Sequence, residues 1–411
     1  MGEENHCMYF VKRKKRYCRM TVRKGNKYCG EHQESSLNNS MENDNTEAKR
    51  VKCPLDPTHT CYESRLSKHL KVCNAKRLID SQPSFIVKGI NLDETGETPR
   101  HVPISELNQL VIDVVINKIK AAHEKLPHFP QEAIQHEILQ DKINDESCGK
   151  AVKKHLVQNA SLLSHLEHAN LVQDSTCFIE FGAGKGKLTY WLGQIIKNRK
   201  DICILLVDRS SHRHKSDNKL KNEPSPLVIK RIRADIADLK LNDITEIQKF
   251  NHKVGIAKHL CGVATDLTIS CLLRAMQDEP VCNVNGLVIA FCCHHKCEYA
   301  SYVGKHYLTQ CGFTPSEFPI LCSIASWATC GSNSRLNTNS NSQHNSIDTR
   351  SRTKGLTSSE KENIGRKVKT LLNWGRSEFL KNNGFESKLV YYTTTDVSLE
   401  NMCIVATRTQ I

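Results

Sequence analysis

This sequence predicts an α/β fold built on a mostly parallel sheet, with two small metal-binding modules in front of it. Three observations carry the prediction. From residue 176 onward, short apolar runs alternate with stretches of helical character, the pattern of parallel strands joined by crossover helices. Two Cys/His clusters fall within the first 77 residues. The last two apolar runs fit a terminal antiparallel hairpin.

The first third is modular. Residues 1–33 are basic and carry Cys7, Cys18, Cys29 and His32, with ten, ten and two residues between successive ligands. Four such groups satisfy a tetrahedral zinc ion, and a module this small has too little core to fold without one. His6 competes for one ligand position. Residues 34–48 are a polar linker with almost nothing to bury. Residues 50–77 offer Cys53, His59, His69 and Cys73 to a second zinc ion. His69 and Cys73 fall at i, i+4 on one side of a short helix, Cys53 and His59 come from a preceding hairpin, and Cys61 is a spare thiol.

Residues 78–147 read as a linker with one helical segment over 103–126, capped by Ser105 and apolar at Leu107, Leu110, Val111, Val114 and Val115. The main domain, 148–411, opens with a helix over 150–171 that brings His155, Leu156, Leu162, Leu163 and Leu166 near one side. Strands follow at 176–181, 202–207, 227–234, 253–258 and 286–292, each an apolar run ending in a turn, as in a sheet covered on both faces. Residues 331–355 are polar and lack aromatic side chains, the composition of a disordered surface insertion. Strands at 387–394 and 402–407 make the closing hairpin.

With 58 Lys+Arg against 44 Asp+Glu, the net charge of +14 favours a polyanionic partner. Lys12, Arg13, Lys14, Lys15 and Arg16 form one basic run, and Arg209, Arg213, His214, Lys215, Lys219 and Lys221 another. No secretory signal is visible and no apolar run is long enough for a bilayer. The 19 cysteines are therefore expected as thiols or metal ligands in a soluble intracellular protein of the cytoplasm or nucleus, with no membrane partner.

The first strand runs into the loop FIEFGAGKGKLT. A P-loop is excluded, because Leu188 follows Gly186-Lys187 and neither candidate lysine has its leading glycine. A dinucleotide loop wants Gly-x-Gly-x-x-Gly, and the third glycine here comes one residue early. Glu180, Gly182, Gly184 and Gly186 suit S-adenosylmethionine instead: bare backbone approaches the nucleoside and amino-acid tail, and the carboxylate faces the ammonium group. Asp208, ending the second strand, is placed to accept from ribose hydroxyls, and Asp235, ending the third, to meet the adenine amino group.

The fifth strand closes in AFCCHHKC, with Cys292, Cys293, His294, His295 and Cys297. Adjacent strand residues point to opposite faces, so the cluster reads as an active-site rim in preference to a third zinc site.

Taken in order, the two Cys/His clusters, EFGAGKGKLT, VDRSSHRHKSD, AKHLCGVATDLT, AFCCHHKC, NWGRSEFLKNNGF and VSLENMCIVA resemble the eukaryotic tRNA 2′-O-methyltransferases that modify the fourth nucleotide of the acceptor stem. The resemblance covers essentially the whole chain. It implies a Rossmann-like class I methyltransferase behind two zinc modules, with S-adenosylmethionine as donor and tRNA as acceptor. Asn373 departs from the pattern, standing where an acid is expected. Removal of the 2′-hydroxyl proton falls to Lys258, His259, His294 or His295 at the ends of the fourth and fifth strands, or to a route that relies on orientation alone.

Overall fold

A computed structural model describes residues 6–11, 16–22, 25–29, 32, 50–76, 82–93, 99–100, 102–221, 226–328 and 355–409. The expected linker 34–48, the basic residues Lys12 to Lys15 and the insertion 331–355, apart from Gly355, lie outside the described residues. The chain divides into two compact units, Met1–Pro83 and Ser84–Ile411.

The first unit holds both modules. Strands β1 (Phe10–Val11) and β2 (Arg16–Tyr17) pair antiparallel in one. In the other, β3 (Arg50–Cys53) and β4 (Asp56–Tyr62) form an antiparallel hairpin followed by helix α1 (Leu66–Val72).

The second unit is built on a seven-stranded sheet. Its strands are β5 (Thr176–Phe181), β6 (Cys203–Asp208), β7 (Val228–Arg233), β8 (His252–Leu260), β9 (Val284–Phe291), β10 (Phe385–Tyr391) and β11 (Met402–Arg408), in the order β10-β11-β9-β8-β5-β6-β7. The five from β5 to β9 run parallel, and β11 pairs antiparallel with both β9 and β10. The chain steps outward from β5 to β7 and then returns to β8 on the other side of β5. That reversal opens a crevice at the carboxyl ends of β5 and β8.

Residue alternation fills both faces. Cys177, Ile179 and Phe181 enter one core, and Phe178, Ile204 and Leu206 the other. This is why the strands read as unbroken apolar runs. Helices α3 (Lys150–His168) and α4 (Lys187–Ile196) cover the second face, and α5 (Val263–Gln277) the first. A third core joins α2 (Gln109–Glu124) to α6 (Phe318–Ala325) and α7 (Ser358–Asn382).

Three expectations change. Residues 84–147 pack into the second unit and do not link to it: Asn91 Nδ2 donates to the carbonyls of Ile236 (2.7 Å) and Leu239 (2.8 Å), and Leu139 is fully buried. The helix expected at 103–126 begins at Gln109, because Asn108 and not Ser105 caps it, accepting from Leu110 N–H at 2.9 Å. Its buried stripe is Ile112, Val115, Ile116, Ile119 and Ala122, leaving Leu110 71% exposed. Two adjacent stripes of that helix are apolar, and periodicity cannot say which one meets a neighbour. Finally, β8 runs two residues past Lys258 and β9 stops at Phe291.

Candidate functional site

Every second residue of the loop after β5 is glycine because the backbone turns left-handed three times, with φ of +64° at Gly182, +52° at Gly184 and +67° at Gly186. Two of the three glycines also have crowded neighbours. A Cβ on Gly186 would lie 2.6 Å from Asp217 Oδ1, and one on Gly182 would lie 3.0 Å from Leu260 Cδ1. Gly184 is different: a Cβ there would make only an ordinary contact, 4.0 Å from the Gly182 carbonyl oxygen. Its N–H donates to Asp208 Oδ2 at 2.7 Å and its carbonyl accepts from Arg231 at 2.9 Å. Arg231 is held in turn by Asp217 at 2.8 Å.

Glu180 lies beneath this loop, 4% exposed, and accepts from the hydroxyl and the N–H of Thr189. Burial raises its carboxyl to about 7, against the two hydrogen bonds, which lower it. Together Glu180, Gly182, Lys185, Lys187, Lys258 and His259 line a cavity of about 250 Å³, which α3 closes with His155 and Asn159.

The two strand-end candidates at 258 and 259 belong to that cavity. Lys258 Nζ donates to Asn159 Oδ1 (2.7 Å) and to the His155 carbonyl (3.0 Å). Burial, and secondarily the charge of Lys187, lowers its ammonium to about 7. His259 has left-handed backbone (φ +58°), an uncommon state for a residue other than glycine, and its Nε2 donates to Gln158 Oε1 at 2.6 Å. Burial beside Lys258 depresses its ring to about 4, so the imidazole is neutral at pH 7.

His294 and His295 are not brought there. His294 is 3% exposed, with Nε2 against Asn373 Oδ1 at 2.7 Å, and faces a separate cavity of about 50 Å³ beside Lys369 and Glu400. Burial, with Arg376 and Lys369 nearby, drives its protonation far down. The strand ends at Phe291, so the chain turns before His294 and carries it inward, and His295 sits exposed on the following turn. Asn373 is the partner that fixes His294. Of the two further acids, Asp208 is engaged with the loop and with Ser210 N–H (2.7 Å). Asp235 ends β7's turn, accepting from Ala237 N–H at 3.1 Å, with its carboxylate 41% exposed.

Both zinc modules assemble their expected ligands. In the first, Cys7, Cys18, Cys29 and His32 gather their ligand atoms within 4.8 Å of one another, with His32 Nδ1 3.4 Å from Cys7 Sγ and 3.3 Å from Cys29 Sγ. His6 is outside this set and bridges to Thr21 through its backbone. In the second, Cys53 and Cys73 sulfurs are 3.8 Å apart, His69 Nε2 is 3.3 Å from Cys53 Sγ, His59 Nε2 is 3.5 Å from Cys73 Sγ, and the two imidazole nitrogens are 3.1 Å apart. A tetrahedron with Zn–S of about 2.3 Å and Zn–N of about 2.0 Å has edges of roughly 3.8 Å between sulfurs and roughly 3.3 Å between nitrogens. The residues present therefore fit zinc. Asp56 holds His59 through Nδ1 at 3.4 Å. Cys61 lies outside this ligand set.

Comparison with known proteins bears on what these parts do together. The methyltransferase TRM13 family matches residues 157–407, the CCCH zinc finger in TRM13 protein matches 5–33, and the U11-48K-like CHHC zinc finger matches 50–74. This chain belongs to the TRM13 methyltransferase family. A TRM13 homolog of Mus musculus, named tRNA:m(4)X modification enzyme, is 36% identical over 98% of this chain and 94% of its own length. The Homo sapiens homolog has the same identity and coverage, and that of Saccharomyces cerevisiae is 31% identical over 98% of this chain and 96% of its own. Among solved structures, the plantazolicin methyltransferase BpumL with SAH is faintly similar, at 10% identity and a TM-score of 0.30 over 74% of this chain and 100% of that one. The lining of that cavity fits S-adenosylmethionine, the donor expected of a TRM13 methyltransferase: a buried carboxyl at Glu180, which suits an ammonium, and backbone without a side chain at Gly182. Among the described residues no helix is long and apolar enough to cross a membrane.

Proposed function

We propose that this TRM13-family chain methylates the ribose 2′-oxygen of the fourth nucleotide in the acceptor stem of tRNA. The observation that supports the chemistry most directly is the single cavity shared by the glycine loop and Lys258. The name that the relatives carry, tRNA:m(4)X modification enzyme, supports the acceptor and the position.

Bound S-adenosylmethionine supplies an electrophilic methyl group on a sulfonium. Glu180 would hold the donor's ammonium, the bare backbone at Gly182 and Gly184 would receive the donor, and Asp208 and Asp235 would take its ribose hydroxyls and adenine amino group. Lys258 is the general base. As a neutral amine it has two hydrogens and one lone pair; Asn159 and the His155 carbonyl take the hydrogens, His155 Nδ1 stands at the 3.5 Å limit of a hydrogen bond, and the lone pair serves the 2′-hydroxyl proton. His259, locked by Gln158, shapes the wall beside it and acts as a positioning residue. Lys185, Lys187, Arg209, Arg213 and Lys219 are exposed around this end of the sheet and neutralise phosphates, and the two zinc modules add basic surface. A double-stranded stem offers its minor groove and 2′-hydroxyls, so shape and backbone contacts carry recognition.

The test is incubation of the purified chain with bulk tRNA and labelled donor, followed by alkaline hydrolysis. An alkali-resistant linkage mapped to the fourth nucleotide is expected. Label in an alkali-labile position, on a base, or in protein overturns the proposal.

A further inference from the structure

Three cysteines that neither zinc module uses meet at the carboxyl ends of β8 and β9. Cys261 follows β8 directly, and Cys292 and Cys293 follow β9. Cys293 Sγ lies 3.4 Å from Cys261 Sγ and 3.4 Å from Cys292 Sγ, and all three sulfurs are within 4.8 Å of one another. Strand alternation does not hold the Cys292 and Cys293 sulfurs on opposite faces, because the strand ends at Phe291 and neither residue is in it. Cys293 instead caps the turn His294–Lys296 with φ −68° and ψ 75°, which swings its sulfur round beside that of its neighbour.

We propose that Cys261, Cys292 and Cys293 bind a third zinc ion, with the fourth position left to solvent. The two separations that involve Cys293 are about 0.4 Å short of the roughly 3.8 Å edge of a tetrahedral zinc thiolate site, and the third pair lies within 4.8 Å, so small side-chain rotations bring all three sulfurs to that edge. The Cys53/Cys73 pair of the second module, at 3.8 Å, sits at that edge. Cys261 is exposed and the other two are half-buried, so an ion can enter and one face remains open.

The backbone is built to make this meeting possible. Gly262 has φ +54°, and a Cβ there would lie 2.4 Å from the carbonyl oxygen of Lys296. Only a bare residue lets the loop after β8 close onto the turn after β9, and that closure is what sets Cys261 against Cys293. The remaining cysteines of the second unit show no such convergence: among the described residues, this is the one group of three or more potential ligands there. The ion would tie the two strand ends together two residues beyond His259, whose carbonyl is already 3.6 Å from Cys261 Sγ.

Metal content tests this without reference to methyl transfer. The full chain, purified anaerobically in zinc-containing buffer, is compared with a Cys292→Ser/Cys293→Ser double variant and with a Cys261→Ser variant by mass spectrometry of the metal and of the intact protein. Each variant is expected to hold one zinc fewer per chain than the parent, while Cys53→Ser removes a different one, so that a combined variant loses two. Cys261→Ser alters an exposed side chain and keeps the experiment readable if the double variant fails to fold. Equal zinc in parent and variants overturns the proposal. So does an intact mass about 2 Da low that rises on reduction in the parent but not in Cys261→Ser, which would show a disulfide in place of the ion.

Discussion

Glu180→Gln separates the cost of burying a carboxyl from its use in binding. In the unfolded chain this group titrates near 4.5, and in the fold at about 7. Between those values the folded protein holds a proton that the unfolded chain has released. Its contribution is therefore fully present below pH 4.5 and is lost as pH rises through 7. At about 1.4 kcal/mol per unit, the loss reaches about 3 kcal/mol by pH 8. Glutamine can still accept from Thr189 and cannot ionise. The donor-free variant is thus expected to match the parent near pH 4.5 and to exceed it by about 3 kcal/mol at pH 8. All three tryptophans, Trp191, Trp327 and Trp374, lie in the second unit, so urea unfolding followed by tryptophan fluorescence reports on it. Calorimetry supplies the other arm. In the parent, S-adenosylmethionine binding below pH 7 should release a proton, visible as a dependence on buffer ionisation heat, and the variant should bind weakly with no such release. Unchanged donor affinity in the variant, or an identical fall of stability with pH in both proteins, refutes the assignment.

Lys258→Met should lower methyl transfer roughly 10²–10⁴-fold. In the parent, the single-turnover rate should rise with pH through about 7 as the amine loses its proton, and that limb should vanish in the variant. Gly184→Ala meets only the Gly182 carbonyl oxygen, at 4.0 Å, and adds left-handed strain of about 1–2 kcal/mol and one methyl beside the donor, whereas Gly184→Asp fills the donor's place. Equilibrium dialysis with labelled donor should therefore show binding weakened in the first and abolished in the second. Arg376 makes a fully buried double contact with Asp266, at 2.8 and 2.9 Å. Arg376→Met leaves that carboxylate uncompensated and should cost about 3–5 kcal/mol in urea unfolding while donor affinity per folded molecule stays unchanged.

The sheet was legible because burial on both faces writes each strand as a run of Val, Ile, Leu and Phe, and the runs at 176–181 and 402–407 needed almost no adjustment. The zinc ligands were legible because four soft donors in a module with little core have few other reasons to be there. What sequence could not fix was direction. Leu110 and Ile112 are both apolar, and only the position of α6 and α7 decides which is covered. His259 and His294 both stand at strand ends, yet a strand two residues longer keeps one at the cavity and a strand one residue shorter sends the other into the core. Cys261 is not legible in the sequence as a neighbour of Cys292 and Cys293 because 30 residues of helix and strand separate it from Cys292; the glycine immediately after it is the available signal.

Gly184 is gripped from both sides, by Asp208 through its N–H and by Arg231 through its carbonyl, and Gly186 stays bare so that Asp217 can hold Arg231. A ligand arriving at such a loop finds it already shaped. The conformational freedom that a slack segment would surrender on contact was given up when the chain folded, and the encounter keeps more of its free energy as affinity. Damage to Arg231, a side chain on a strand two removed from β5, would then weaken donor retention through disorder alone, with every atom that touches the donor still in its original chemical form.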